Sequence, residues 1–214
     1  MTDTISVEIK KTDASRISEL DENNIPFGKL YTDHMFIADY KDGNWNNFRI
    51  MPYGDIKISP ANQTLHYGVS IFEGMKAYKN TKGEPVLFRP LDNFKRMNES
   101  AVRMCMPELP EEVFMGGLSS LLNIDKEWIP SKEGTSLYVR PFMFSTEAYI
   151  GIKPSEVFSF MIICGPVGAY YNKPVSVKIE TKYTRAIEGG TGAAKTAGNY
   201  AASLYPALLA QKMG

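Results

Sequence analysis

One lysine in this 214-residue chain stands among small residues, in the run Gly189-Gly190-Thr191-Gly192-Ala193-Ala194-Lys195-Thr196-Ala197-Gly198-Asn199-Tyr200. Small side chains let a backbone come close to a bound ligand. An amine in such a setting suits two chemistries: a cation that grips phosphate, or a nucleophile for a carbonyl. The first would require a P-loop, and GxxxxGK[ST] would need glycine where Ala194 stands. The preceding residues 183–188 do not read as a buried strand, and no apolar run ending in an aspartate follows. Schiff-base chemistry is the stronger reading, beside the plain one of a solvated loop lysine. A lysine amine condenses with an aldehyde in its neutral form, which burial or a cationic neighbour favours. Pyridoxal phosphate, the aldehyde cofactor, also needs phosphate donors, a ring-nitrogen partner and a group near its phenolic oxygen. Tyr200 could reach that oxygen, and Arg96 could clamp the phosphate with its planar fork. Read without context, Arg96 is more readily a solvated helix-face arginine.

The elements that must position these groups can be read along the chain. Residues 1–30 are polar and irregular and predict an arm. Residues 34–40 (HMFIADY) predict a strand, Asp42-Gly43-Asn44 a turn, and residues 47–51 the returning strand. Residues 71–78 predict one further strand, and Lys82-Gly83 turns the chain into residues 85–89. Apolar spacing predicts a helix over 91–104, with Leu91, Phe94, Asn98, Ala101 and Cys105 near one face and Pro90 in its first turn. A second helix starts near Pro110, with Glu111 and Glu112 where the helix dipole favours them. Its Gly116-Gly117 pair predicts close packing at some cost in helix propensity. Residues 135–144 and 157–164 predict two buried strands, rich in Val, Ile, Phe and Tyr.

Residues 165–174, with two glycines and two prolines, read as an interdomain linker. A strand is expected over 175–181 and a helix over 199–213, kinked at Pro206 and capped by Gly214. One strand, one loop and one helix cannot close a core. Residues 175–214 are therefore expected to begin a larger domain whose remainder is absent. The expected division is 1–164, a small domain with its arm; 165–174, the linker; and 175–214.

Composition narrows the function classes. Twenty-four basic residues balance twenty-four acidic ones, so charge points to neither nucleic acid nor an anionic membrane as partner. The longest apolar stretch, 158–164, is too short to span a bilayer, and the N-terminus lacks a signal-peptide pattern. A cytoplasmic location is the expectation. Cys105 and Cys164 form no CxxC pair and are expected to be reduced, buried thiols. His34 and His66 have no acidic or thiol cluster beside them in sequence, so no metal site is expected.

An ordered series of stretches resembles the branched-chain amino acid aminotransferases, in the fold-type IV group of pyridoxal-phosphate enzymes. It comprises Phe27-Gly28 with Tyr31-Thr32-Asp33-His34-Met35, Leu65-His66-Tyr67, Phe72-Glu73-Gly74-Met75-Lys76-Ala77-Tyr78, Leu87-Phe88-Arg89-Pro90, Arg96-Met97 and Arg103-Met104-Cys105. It continues through Gly134-Thr135-Ser136-Leu137-Tyr138-Val139-Arg140-Pro141, Gly165-Pro166-Val167-Gly168-Ala169-Tyr170 and residues 195–200. FEGMKA, SLYVRP and GPVGAY resemble the longer, eukaryote-like branch.

The resemblance implies an α+β fold: a small mixed α/β domain, then the start of a second, pseudo-barrel-like domain. It implies ping-pong transamination between branched-chain L-amino acids (Leu, Ile, Val) and 2-oxoglutarate through a lysine Schiff base. Lys195 would be the catalytic lysine, Arg96 would hold the cofactor phosphate and Tyr200 the phenolic oxygen. Phe27, Tyr67, Tyr138 and Tyr170 would wall the substrate pocket, and Arg140 would pair with the second carboxylate of glutamate. Ile150 and Ile152 would reach into the partner subunit's pocket, which implies a homodimer. In the family the segment after the lysine helix supplies the ring-nitrogen carboxylate and completes the phosphate cup, and that segment is absent here. Three other readings stand beside this one: a D-amino acid aminotransferase, an aminodeoxychorismate lyase, or a catalytically inactive fragment or pseudo-enzyme of the same fold.

Overall fold

The computed structural model describes residues 5–169 and 173–213. Its centre, among the described residues, is an eight-stranded mixed sheet in which β1 (Glu8–Ile9), β3 (Asn44–Pro52), β2 (His34–Lys41), β8 (Phe158–Val167), β7 (Ser136–Ser145), β5 (Met75–Lys79) and β6 (Pro85–Leu87) lie in that order, and β4 (Ser70–Phe72) pairs off this path with β7. Strands β2 (His34–Lys41) and β3 (Asn44–Pro52) form the expected hairpin, with Asp42 and Gly43 both at positive φ in its tight turn. Strands β7 (Ser136–Ser145) and β8 (Phe158–Val167) pair antiparallel from Ser136↔Val167 to Ser145↔Phe158. Strand β8 therefore runs to Val167, three residues into the stretch expected as linker. Pro166 is tolerated at that end of the strand because its ring costs only one ladder donor.

Both faces of the sheet's middle are buried, which is why β8 is apolar at nearly every position, Ser159 excepted. On one face Phe36 and Ala38 meet α3 (Glu111–Ile124), whose Phe114, Leu118 and Leu121 are fully buried. Phe114 stacks on Phe160 at 5.9 Å. Gly117 lets that helix lie directly on the sheet: a Cβ there would come within 2.5 Å of the Phe36 ring. The close packing expected of the glycine pair is thus real. On the other face Met35, Ile37, Phe144 and Met161 form a smaller cluster. Alternation along β2 sends consecutive side chains to the two faces.

The N-terminal arm is not irregular throughout. Strand β1 (Glu8–Ile9) adds parallel to β3, and a 3-10 turn covers Ile17–Glu19. Two buried side chains hold the arm. The Asp33 carboxylate accepts from Arg16 N–H, Ser15 Oγ and Trp128 Nε1. His34 Nε2 accepts from Thr12 N–H at 2.9 Å, so the ring proton sits on Nδ1, which donates to Asp125 at 2.6 Å.

Four expectations need correction. Residues 71–78 are two strands, β4 (Ser70–Phe72) and β5 (Met75–Lys79), separated at Glu73-Gly74 because the Glu73 side chain turns inward to a partner from α2 (Pro90–Arg103). No strand forms over 175–181: Val175, Val177 and Ile179 are exposed, and no described strand pairs with them. The helix expected over 199–213 is two, α4 (Ala197–Ala201) and α5 (Leu204–Gln211). Pro206 falls in the first turn of α5, where its missing N–H has no helical acceptor, so the break comes before it instead of a kink. Gly214 lies outside the described residues. Finally, Cys164 is buried but Cys105 is exposed, because it sits at positive φ in the turn that leaves α2. Burial, helped by the Asp125 charge, pushes the Cys164 thiol well above its ordinary range. Among the described residues no helix is long and apolar enough to cross a membrane.

Candidate active site

The glycine-rich loop comes to rest against β4 and α2. Phe72 N–H donates to the Lys195 carbonyl (3.0 Å), Thr196 Oγ1 donates to the Ser70 carbonyl (2.8 Å), and Ile71 bridges Thr196. Lys195 N–H donates to Ser100 Oγ (2.9 Å), and Ser100 Oγ donates in turn to the Arg96 carbonyl (2.9 Å). Arg103 Nη2 donates to the carbonyls of Gly189 and Gly190. Buried Asn199 ties the loop to itself: Nδ2 donates to the Thr191 and Ala194 carbonyls, and Oδ1 accepts from Thr191 Oγ1. The amine is thus carried by a backbone tied to β4, to α2 and to itself.

Lys195 Nζ donates to Tyr200 Oη at 2.6 Å and lies 4.6 Å from the centre of the Phe72 ring. The Tyr200 and Phe72 rings are 4.7 Å apart. The Arg140 guanidinium lies 4.3 Å from the centre of the same Phe72 ring, while its Nε and Nη2 both donate to Tyr138 Oη. One aromatic side chain therefore links the amine to the second cation. Phe72 is a site residue that the resemblance did not assign. The only sequence signal was its place beside Glu73-Gly74, where a strand run meets a turn residue.

Phe27, Tyr138 and Arg140 line one cavity of about 170 Å³ together with Tyr31, Pro166 and Val167. Phe27 and Tyr138 stand with ring centres 6.2 Å apart. The roof of the cavity is laid on by Thr32 N–H donating to the Cys164 carbonyl. Gly165 permits this approach, since a Cβ there would lie 2.5 Å from the Leu30 carbonyl oxygen. Tyr67 ends α1 (Gln63–Tyr67), exposed, with His66 beside it, and is not among the cavity's lining residues. Tyr170 lies outside the described residues. Ile150 and Ile152 project from the loop between β7 and β8, with Ile152 96% exposed. Gln63 Nε2 shapes that loop by donating to the carbonyls of Gly151 and Lys153.

Arg96 stands on α2 with its side chain 52% exposed. Its Nε and Nη2 donate to the fully buried Glu73 carboxylate at 2.6 and 2.7 Å. Hydrogen bonding to Glu73 raises its pKa above the ordinary guanidinium value, against the opposing effect of burial, and Tyr200 lies near enough to act on its charge. Nη1 has no partner among the described residues. An amine, a phenol hydroxyl and a guanidinium with donors to spare thus share one end of the sheet. That set fits an aldehyde cofactor bearing a phenolic oxygen and a phosphate.

This architecture is shared with solved aminotransferases of fold type IV. A branched-chain aminotransferase from Thermoproteus uzoniensis, solved with norvaline, superposes with a TM-score of 0.63 over 85% of this chain and 57% of that one, at 23% identity. The T.th. branched-chain amino acid aminotransferase with pyridoxamine 5'-phosphate gives 0.57 over 78% and 53%, at 27% identity. In sequence the chain is homologous to the branched-chain amino acid aminotransferases. It is 45% identical to branched-chain-amino-acid aminotransferase 2 of Bacillus subtilis, over 99% of its own length and 58% of the relative's. Against the Mycolicibacterium smegmatis enzyme it is 49% identical, over 95% and 56%. The chain thus spans a little over half the length of these relatives. No family model matches it.

Proposed function

We propose that this chain carries the lysine-bearing part of a pyridoxal-phosphate-dependent branched-chain amino acid aminotransferase. It would exchange amino groups between Leu, Ile or Val and 2-oxoglutarate. The observation that carries this reading is Lys195 Nζ on Tyr200 Oη, with Phe72 and Arg140 beside it. The homology to branched-chain aminotransferases supports the substrate class. Lys195, Tyr200 and Arg96 would hold the cofactor, which when bound supplies an electron sink for charge developing at the substrate α-carbon.

The chain's own residues do the rest. Lys195 Nζ is the base that takes the α-proton, with Tyr200 Oη orienting it. Phe27, Tyr31, Tyr138, Pro166 and Val167 give an aliphatic side chain a largely apolar wall. Arg140, steadied by Tyr138 Oη and the Phe72 face, meets the second carboxylate when glutamate is the donor. Tyr67, exposed outside that cavity, and Tyr170, outside the described residues, are assigned to the wall by the resemblance alone. Ile150 and Ile152, exposed on a tethered loop, serve a second copy of the chain in a homodimer. We divide the chain where β8 ends: the first domain, expected over 1–164, runs on to Val167, the linker expected over 165–174 keeps 168–174, and 175–214 starts the cofactor domain; we place the protein in the cytoplasm.

Borohydride treatment of the purified protein incubated with pyridoxal phosphate tests the central assignment. We expect a covalent adduct on the peptide containing Lys195, and none in Lys195→Ala, which should also lose transamination entirely. An adduct of equal yield in the variant would sink the reading.

A further inference from the structure

Among the described residues, Glu73 is the one fully buried carboxylate that touches the candidate site. It lies where β4 gives way to β5, with its own N–H donating to the Pro141 carbonyl (2.8 Å). Its two oxygens take Arg96 Nε, Arg96 Nη2 and Asn93 Nδ2 at 2.6, 2.7 and 2.8 Å. Asn93 and Arg96 are three positions apart on α2 and so face the same way. The pair is lopsided: the anion has no contact with water, while the cation is half exposed. An arginine carries five N–H donors. Glu73 occupies two, one on Nε and one on Nη2, leaving three turned away from it.

We propose that Glu73 is a positioning residue for Arg96, locking the guanidinium plane so that its remaining donors form an anion clamp. This rests on the reading above, in which Arg96 holds the cofactor phosphate. A buried ion pair is weak evidence of a stabilising role, because apolar replacements are often as stable. What the geometry provides is orientation, through two parallel bonds to a planar fork. The alternative, that Glu73 merely offsets a positive charge, predicts the opposite sign. Removing its charge would then strengthen phosphate binding.

The test compares binding of pyridoxal phosphate with binding of pyridoxal, which lacks the phosphate. Spectrophotometric titration follows the wild type, Glu73→Gln, Arg96→Ala and the double variant. Gln keeps one acceptor but turns an amide donor toward the guanidinium. We expect Glu73→Gln to cut the preference for the phosphorylated form about tenfold, the lower end of what loss of an orienting partner costs at metal sites. Pyridoxal affinity should be untouched, and in the Arg96→Ala background the substitution should have no further effect. An unchanged or increased preference overturns the proposal, as does an equal loss for both ligands or an effect that survives without Arg96. Should Glu73→Gln fail to fold, Asn93→Ala removes one tether of the carboxylate and should lower the preference about two- to threefold. No change there overturns the proposal equally. A wild type that takes up neither ligand at Lys195 fails the functional reading itself, and the role of Glu73 with it.

Discussion

The central sheet and the segment from residue 173 to 213 are built on different terms. In the sheet, β8 is buried along nearly its whole length and its aromatic residues interlock with α3. In the later segment Val177 is 86% exposed, α5 buries no residue, and regular structure is confined to two short helices. Yet Lys195, the lysine we assign to the site, lies in the sparser part. The resolution is local. Where the segment touches β4 and α2 it is held by backbone hydrogen bonds and a buried asparagine; elsewhere it is not. On the proposed assignment, position is supplied by the sheet and α2, and the amine is brought to them by a loop.

Three tests, the first a pair of variants, follow in order of their largest expected effect. Phe114→Ala opens the seam between α3 and the sheet and should cost about 3–5 kcal/mol in urea unfolding. Val177→Ser in the exposed stretch should stay within about 0.5 kcal/mol. Similar costs for the two would show that the segment is as tightly built as the sheet. Next, Asn199→Ala strands the Ala194 carbonyl and leaves the Thr191 carbonyl only its bond from Ala194 N–H, a loss of about 1–3 kcal/mol confined to the loop. Hydrogen exchange over residues 191–195 should speed up about tenfold or more, with β7 and β8 unchanged. Uniform acceleration would mean that the loop is not an independent unit.

The smallest effect concerns the arm. Burial alone would raise the pKa of Asp33, but the donors Arg16 N–H, Ser15 Oγ and Trp128 Nε1 outweigh it and hold the value below the ordinary carboxylate value. A depressed carboxylate stabilises the fold above its unfolded pKa and stops doing so as pH falls through the folded one. The arm should therefore loosen below about pH 4. Trp128 fluorescence would report this, and Asp33→Asn should remove the transition. A wild-type signal flat from pH 5 to 2 would refute the attribution.

Much of the sheet was legible in the sequence because its strands are long apolar runs bounded by turn residues. Strand β2 and its turn, and the bodies of β7 and β8, follow from pattern alone, as do α2 and α3. The break between β4 and β5 did not. Glu73 reads as the polar face of an ordinary strand until Arg96, twenty-three positions on, supplies the partner that lets it go inside. The absent strand over 175–181 has the converse cause: alternation promised one, but a strand exists only with a neighbour. At the site, Lys195, Tyr200, Tyr138 and Arg140 could be picked out by motif. Phe72, Ser100 and Asn199 could not, because what they do depends on which backbone group comes to meet them. Ser100 acts across ninety-five positions of sequence.

Ser100 also sets a dimension. It lies one turn beyond Arg96 on α2, and its hydroxyl touches both the Arg96 carbonyl and the Lys195 N–H. The separation between the guanidinium anchor and the lysine backbone is therefore metered by helix pitch, about 5.4 Å per turn, and not by loop length. A residue added between 96 and 100 would swing the two mounts about 100° apart around the helix axis. Residues added between 173 and 188 would leave their spacing as it is. Helix α2 works as the gauge block of the site, against which a loop of any length can be set.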